Sequence, residues 1–192
     1  MSEAKKILIG FAVVGSLCIC VAAATFFIFK EFGNRTKNLV SSDPTSIAKI
    51  QEKISEFDIP PGYAPTAMNM LIYDVVTLSP DTASQRGPII MLMQHNGILS
   101  GNSAQVEQQM RLSAEQQSSQ PGTSFQVVDS FDQEIRGQTV TVTVSEGEYE
   151  NYTMRKWVTI FKGNQGPTLL MITGSVESWD DELVKDFIES MR

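Results

Sequence analysis

Cysteine and histidine are nearly missing from this chain. In 192 residues there is one histidine, His95, and the two cysteines, Cys18 and Cys20, both lie inside one apolar stretch. Zinc fingers, iron–sulfur centres held by a single chain and disulfide scaffolds need sets of such side chains, so none can be built here. A zinc site with two or three histidines fails for the same reason, and no nucleophile motif accompanies His95. Neither G-x-G-x-x-G nor G-x-x-x-x-G-K-[ST] occurs, so the glycines offer no phosphate cradle and read as turns. No cofactor is expected. Basic charge is scarce as well: from Ser41 onward 20 acidic residues stand against 10 basic ones. A domain of that balance lacks the footprint that neutralises phosphates and is repelled by anionic headgroups, which argues against nucleic acid as a partner.

What the chain does have is a long apolar run. Ile7 to Phe29 is 23 residues without a charged side chain. As a helix it covers roughly 34 Å, enough to cross a hydrocarbon core of about 30 Å, and lipid demands a helix because its backbone groups are satisfied internally. Lys5 and Lys6 on one side and Lys30, Arg35 and Lys37 on the other hold the ends at headgroup level. Cleavage after Ala22-Ala23-Ala24 would leave Thr25 to Phe29 as an exposed apolar end, so the run is expected to stay as a signal-anchor. Flanking charge nearly ties the two orientations. The short tail and a domain free of cysteine favour a cytoplasmic N-terminus and an extracytoplasmic domain, on a single-pass protein of the cell membrane. The organisation expected is a tail over 1–6, a transmembrane helix over 7–29, a polar tether over 30–42 and a soluble domain over 43–192.

Within that domain, Asp43-Pro44 supplies an N-cap and a first-turn proline, and Ile47, Ile50, Ile54 and Phe57 recur at helical spacing before Pro60-Pro61. Met68–Leu78 and Pro88–Met93 read as strands, and Ser103–Gln117 as a helix with a narrow apolar stripe and a glutamine-rich, solvated face. Phe125–Ile135, Thr139–Val144, Thr153–Phe161 and Thr168–Thr173 follow as strands, with Arg136-Gly137, Glu146-Gly147 and Gly163 to Gly166 placed as hairpin turns. Strict alternation puts Val140, Val142 and Val144 on the buried face. Ser178-Trp-Asp-Asp181 reads as a capping box ahead of an amphipathic C-terminal helix. The expected fold is α+β, an antiparallel sheet of about six strands backed by helices in the order α-β-β-α-β-β-β-β-α, preceded by one transmembrane helix.

Few constellations carry chemistry. Glu146, Glu148 and Glu150 alternate, so an extended chain puts them on one side, and with Tyr149 they form a candidate surface for a basic partner. The spacing does not match a calcium loop. Tyr63 and Trp157 are candidate walls of a ligand pocket, with sheet packing as their ordinary role. Met68, Met70, Met91 and Met93 sit among Leu71, Ile72, Ile89, Ile90 and Leu92, which reads as core and not as copper ligation.

Ile59-Pro-Pro-Gly-Tyr63 leading into the first strand, with Trp179-Asp180 and Phe187-Ile-Glu-Ser190 closing the chain, resembles the fold of PsbP-like and Ran-binding Mog proteins over about Ser46 to Arg192. Through Arg136-Gly-Gln138, Ser145-Glu-Gly147 and Gly166-Pro167 the chain also resembles small uncharacterised bacterial single-pass membrane proteins that join one helix to such a domain. That resemblance implies accessory or binding roles, not catalysis. The histidine metal sites of PsbP proteins do not carry over, because His95 stands alone. The function expected is a membrane-anchored, non-catalytic binding or accessory protein that engages a protein partner near the bilayer. A small-ligand carrier or sensor is the alternative, and a histidine-independent carboxylate enzyme comes third.

Overall fold

The computed structural model describes residues 40–70, 72–81, 87–95, 103–116, 125–149 and 151–192. The expected tail, transmembrane helix and most of the tether lie outside the described residues, as does Glu150. Among the described residues no helix is long and apolar enough to cross a membrane.

The unit Val40–Arg192 is an open antiparallel sheet with three helices among the described residues. Its strands are β1 (Val40–Ser41), β2 (Tyr63–Asn69), β3 (Tyr73–Pro80), β4 (Ile89–His95), β5 (Gln126–Ile135), β6 (Gln138–Tyr149), β7 (Tyr152–Lys162) and β8 (Pro167–Ser175). The helices are α1 (Pro44–Ile54), between β1 and β2, α2 (Ser103–Gln116), between β4 and β5, and α3 (Asp181–Glu189), after β8. Across the sheet the order is β1-β2-β3-β4-β8-β7-β6-β5. Two four-stranded meanders therefore meet at the central β4–β8 pair, where Leu92 lies opposite Leu170.

The α+β class and the antiparallel sheet match the expectation, but there are eight strands where about six were expected. Met68–Leu78 is not one strand. The chain reverses between Asn69 and Tyr73, where the Met70 amide donates to the Tyr73 carbonyl and Asn69 donates to Asp74 across the new hairpin. No glycine or proline marks that reversal, so turn chemistry could not signal it. The eighth strand, β1, lies inside the expected tether, where Val40 and Ser41 pair with Met68 and Ala67.

Local sequence explains most element ends. Asp43 accepts from the Ser46 amide at 3.1 Å and Pro44 opens α1, which buries Ile47, Ile50 and Ile54. Its last carbonyls are satisfied from the β7–β8 turn: the amides of Asn164 and Gln165 donate to Ile54 and Lys53, and the Asn164 side chain donates to Glu52. A side chain on Gly163 would collide with Thr168 Oγ1 and come within 2.7 Å of the Ile54 carbonyl, so that contact requires glycine. Arg136 and Gly137, both at positive φ, form the two-residue β5–β6 turn, and Arg136 donates to Asn164 Oδ1 at 2.6 Å. Glu146-Gly147, by contrast, is not a turn. Gly147 lies within β6 opposite Met154, and the hairpin closes after Tyr149. The expected capping box is also displaced: Ser178 ends a 3-10 turn, and Asp180 caps α3 by accepting from the Leu183 amide at 3.0 Å.

The main core lies between α1, α3 and one face of the sheet. It joins Ile47, Ile50 and Ile54 of α1 and Val184, Phe187 and Ile188 of α3 to Val76, Leu78, Ile90, Leu92, Leu170 and Ile172. Full burial of such a side chain is worth about 1.5–3 kcal/mol. The opposite face carries α2, whose Met110 packs on Ile160 and Leu169.

Candidate functional site

The two faces end differently at the β6–β7 hairpin. Tyr149 pairs with Tyr152 and Val127 with Ser145, which places all of these side chains on the α2 side of the sheet. Val127, Tyr149 and Tyr152 are exposed there, by 68%, 48% and 53%. A register slip between Val127 and Asp129 leaves Val128 unpaired and 55% exposed. A bulge at an edge strand re-aims side chains and interrupts pairing, so β5 presents two valines outward just where its ladder is broken. Ser145, opposite Val127, is four residues from Tyr149 on β6, about 13 Å along the strand, so the valines and the tyrosines are two exposed apolar spots at the β5–β7 end of the α2 side.

Beneath this corner lies Lys156, which is buried, with its ammonium 4.8 Å from the Phe125 ring. Burial lowers its pKa below the usual 10.5.

The candidate residues fall into separate places. Glu146 and Glu148 do share one side, as alternation required, but it is the side opposite Tyr149. Each has a neighbour of its own: one Glu146 oxygen accepts from Arg155 Nε and Nη2 at 2.9 and 2.7 Å, and Glu148 accepts from Thr153 Oγ1 at 2.9 Å. Of the candidate partner surface, Tyr149 is the described member on the α2 side, where it is 48% exposed opposite Tyr152.

Tyr63 and Trp157 stand four strand spacings apart, about 19 Å. Tyr63 is buried and donates its hydroxyl to the Pro88 carbonyl at 2.9 Å. Burial first, and the Asp180 carboxylate second, raise its pKa above 10.0. Trp157 is wedged between Phe131 and Trp179, at ring distances of 5.0 and 5.3 Å. Both side chains serve the main core.

Two grooves were not legible as such in the sequence. One, about 450 Å³, lies between the β3–β4 end and α2 and is lined by Tyr73, His95, Gln105, Val106, Gln109 and Leu112. His95 meets the Tyr73 ring edge-on at 5.5 Å. Its lone imidazole and the glutamine stripe were the signals available, but nothing local said they would meet. The other, about 530 Å³, lies between Asp58–Pro61 and α3.

Among the described residues, no three His, Cys, Asp or Glu side chains converge to hold a metal ion. Asp74 is buried and accepts from Lys53 and Asn69 at 2.7 Å each, and its neighbour across the ladder, Gln94, is 1% exposed with a side-chain amide that finds no partner. The methionines expected in the core are only half-buried: Met68, Met91 and Met93 lie on the α2 side, and Met70 turns outward at the β2–β3 reversal.

No protein-family model matches the chain, and no curated protein sequence matches it.

Proposed function

We propose that the protein is a membrane-anchored, non-catalytic accessory protein whose α+β domain docks a protein partner near the bilayer. The observation that carries this reading is the exposure of Tyr149 and Tyr152 at the β6–β7 hairpin, with Val127 and Val128 exposed further along the neighbouring edge strand. Tyrosine brings large contact area at low entropic cost together with a polar tip, which suits an interface better than a solvated hairpin. The anchoring part of the reading rests on the 23 uncharged residues of Ile7 to Phe29. The extracytoplasmic placement rests on a domain that holds no cysteine to misoxidise outside. The likeness to the PsbP-like fold rests on Ile59 to Tyr63 and Trp179 to Ser190 in the sequence, and the accessory role needs no catalytic residue.

Purification of the full-length protein from native membrane in mild detergent tests this. A partner should be retained by the wild type and lost by Tyr149→Ser/Tyr152→Ser, with protease protection of the domain reporting its side of the membrane. Retention of nothing above background, or equal retention by both proteins, would contradict the proposal.

A second reading, a carrier or sensor of a small ligand, is favoured by the His95 groove, whose volume falls in the range of small-molecule sites. A thermal-shift screen of uncharged, hydrogen-bonding compounds checks it. A hit that His95→Ala abolishes supports the reading, and a screen without hits counts against it.

A further inference from the structure

The groove between Asp58–Pro61 and α3 is distinct from the tyrosine corner and has a chemistry of its own. Its floor is apolar, with Ile59 38% exposed beside Pro61 and Leu183. Its walls carry Asp58, Asp180, Glu182 and Asp186, and no lysine or arginine is among the described lining residues. Arg192 reaches in only as far as Asp58, at 3.2 Å.

The helix dipole explains acids in the first turn of α3, and Asp180 is its cap. It does not explain Asp186, which lies beyond that turn, or Asp58 on the facing wall. The groove is also held open by fixed parts. Pro60 and Pro61 restrict one wall, and the Asp58 amide donates to Ser190 Oγ at 3.1 Å, pinning that wall to the end of α3. A rigid apolar trough whose rim is negative is complementary to a cationic segment that carries apolar side chains, and its pre-organisation removes part of the ordering cost of binding.

Spacing narrows the occupant. Glu182 and Asp186 are four apart on one helix, so their side chains stand about 6 Å from each other. Alternate residues of an extended chain stand about 6.6 Å apart on one side. We propose that this groove receives an extended segment of a protein partner with arginine or lysine at alternate positions and leucine-like residues between or beside them. This rests on the reading of the domain as a protein-binding module, and it names a second contact that the tyrosine corner does not supply.

The test uses the full-length protein in a zwitterionic detergent and a fluorescent octapeptide, Gly-Ser-Arg-Leu-Arg-Leu-Ser-Gly, with glutamate replacing arginine in the control peptide. Saturable binding of the arginine peptide alone is expected, weakening as salt is raised because the rim is exposed. Glu182→Lys/Asp186→Lys should weaken it about tenfold. Asp132→Lys/Glu134→Lys on β5, an equal change of net charge, should change it less than about twofold. Melting curves accompany each variant, and the neutral pair Glu182→Gln/Asp186→Asn replaces the reversal if that variant melts early. Non-saturable binding, binding of the glutamate peptide, or equal losses from both charge variants would overturn the assignment. Should the tyrosine variant lose its native partner while the octapeptide shows no preference for α3, the groove assignment falls and the accessory reading stands.

Discussion

One face of the sheet is closed by α1 and α3, and among the described residues its buried apolar cluster runs through both helices and six strands. The other face is crossed by α2, and among the described residues the corresponding cluster is Met110, Ile160 and Leu169. The same strands serve both, because alternate residues point opposite ways, so the difference lies in what covers them. Burial on the closed face holds the fold. Among the described residues, the α2 face keeps methionines partly exposed, buries a lysine and presents tyrosines at its end, and it is there that the main docking contact is proposed, with the α3 groove as a second one.

Truncating each face separates these roles. Phe187→Ala, which removes the α3 ring that meets Phe57 at 5.5 Å, is expected to cost about 3–5 kcal/mol of global stability in urea unfolding. Met110→Ala should cost about 2 kcal/mol and act locally, so that hydrogen exchange quickens in α2 before it does in β4 or β8. Equal global losses would erase the contrast between the faces.

A smaller effect of opposite sign is expected inside the closed face. Gln94 buries an amide whose nitrogen and oxygen lack partners, and Gln94→Met keeps the shape without the polar groups. It should stabilise by about 1 kcal/mol in thermal melts. A loss of stability would show that the amide contributes where it lies.

Alkaline pH sets the two faces against each other. Lys156 has a lowered pKa, so between the folded value and 10.5 the unfolded chain binds more protons and stability rises with pH. Tyr63 has a raised pKa. Its contribution is complete below 10.0 and is lost as pH climbs through the folded value. Lys156→Met should abolish the rise, and Tyr63→Phe should abolish the loss, in melts followed across that range. The smallest change in stability belongs to the open corner: Tyr149→Ser/Tyr152→Ser should shift it by less than about 0.5 kcal/mol, the usual scale for exposed side chains.

Much of the closed face was legible because its signals are local. The alternating valines of β6, the isoleucines of α1 with Asp43-Pro44, and the apolar stripe of α3 each fix a buried side within a few residues. Boundaries failed where local chemistry was silent or ambiguous. Asn69 to Tyr73 turns without glycine or proline, Gly147 looks like a turn yet pairs within a strand, and Asp180 takes the cap that Ser178 was expected to supply. The site was less legible because it is non-local. Tyr63 and Trp157 looked like partners until strand order put four spacings between them. Glu146 and Tyr149 were grouped by adjacency, although parity sends them to opposite faces. The α3 groove joins Asp58 to Asp186, a pairing that no periodicity contains.

The most direct measurement is photo-crosslinking in native membrane, with benzoylphenylalanine in place of Tyr152 on the open face and, separately, in place of exposed Thr45 on α1. A discrete protein adduct from position 152 and none from position 45 is the expected result. No adduct at 152, or the same adducts from both positions, would contradict docking through the open face.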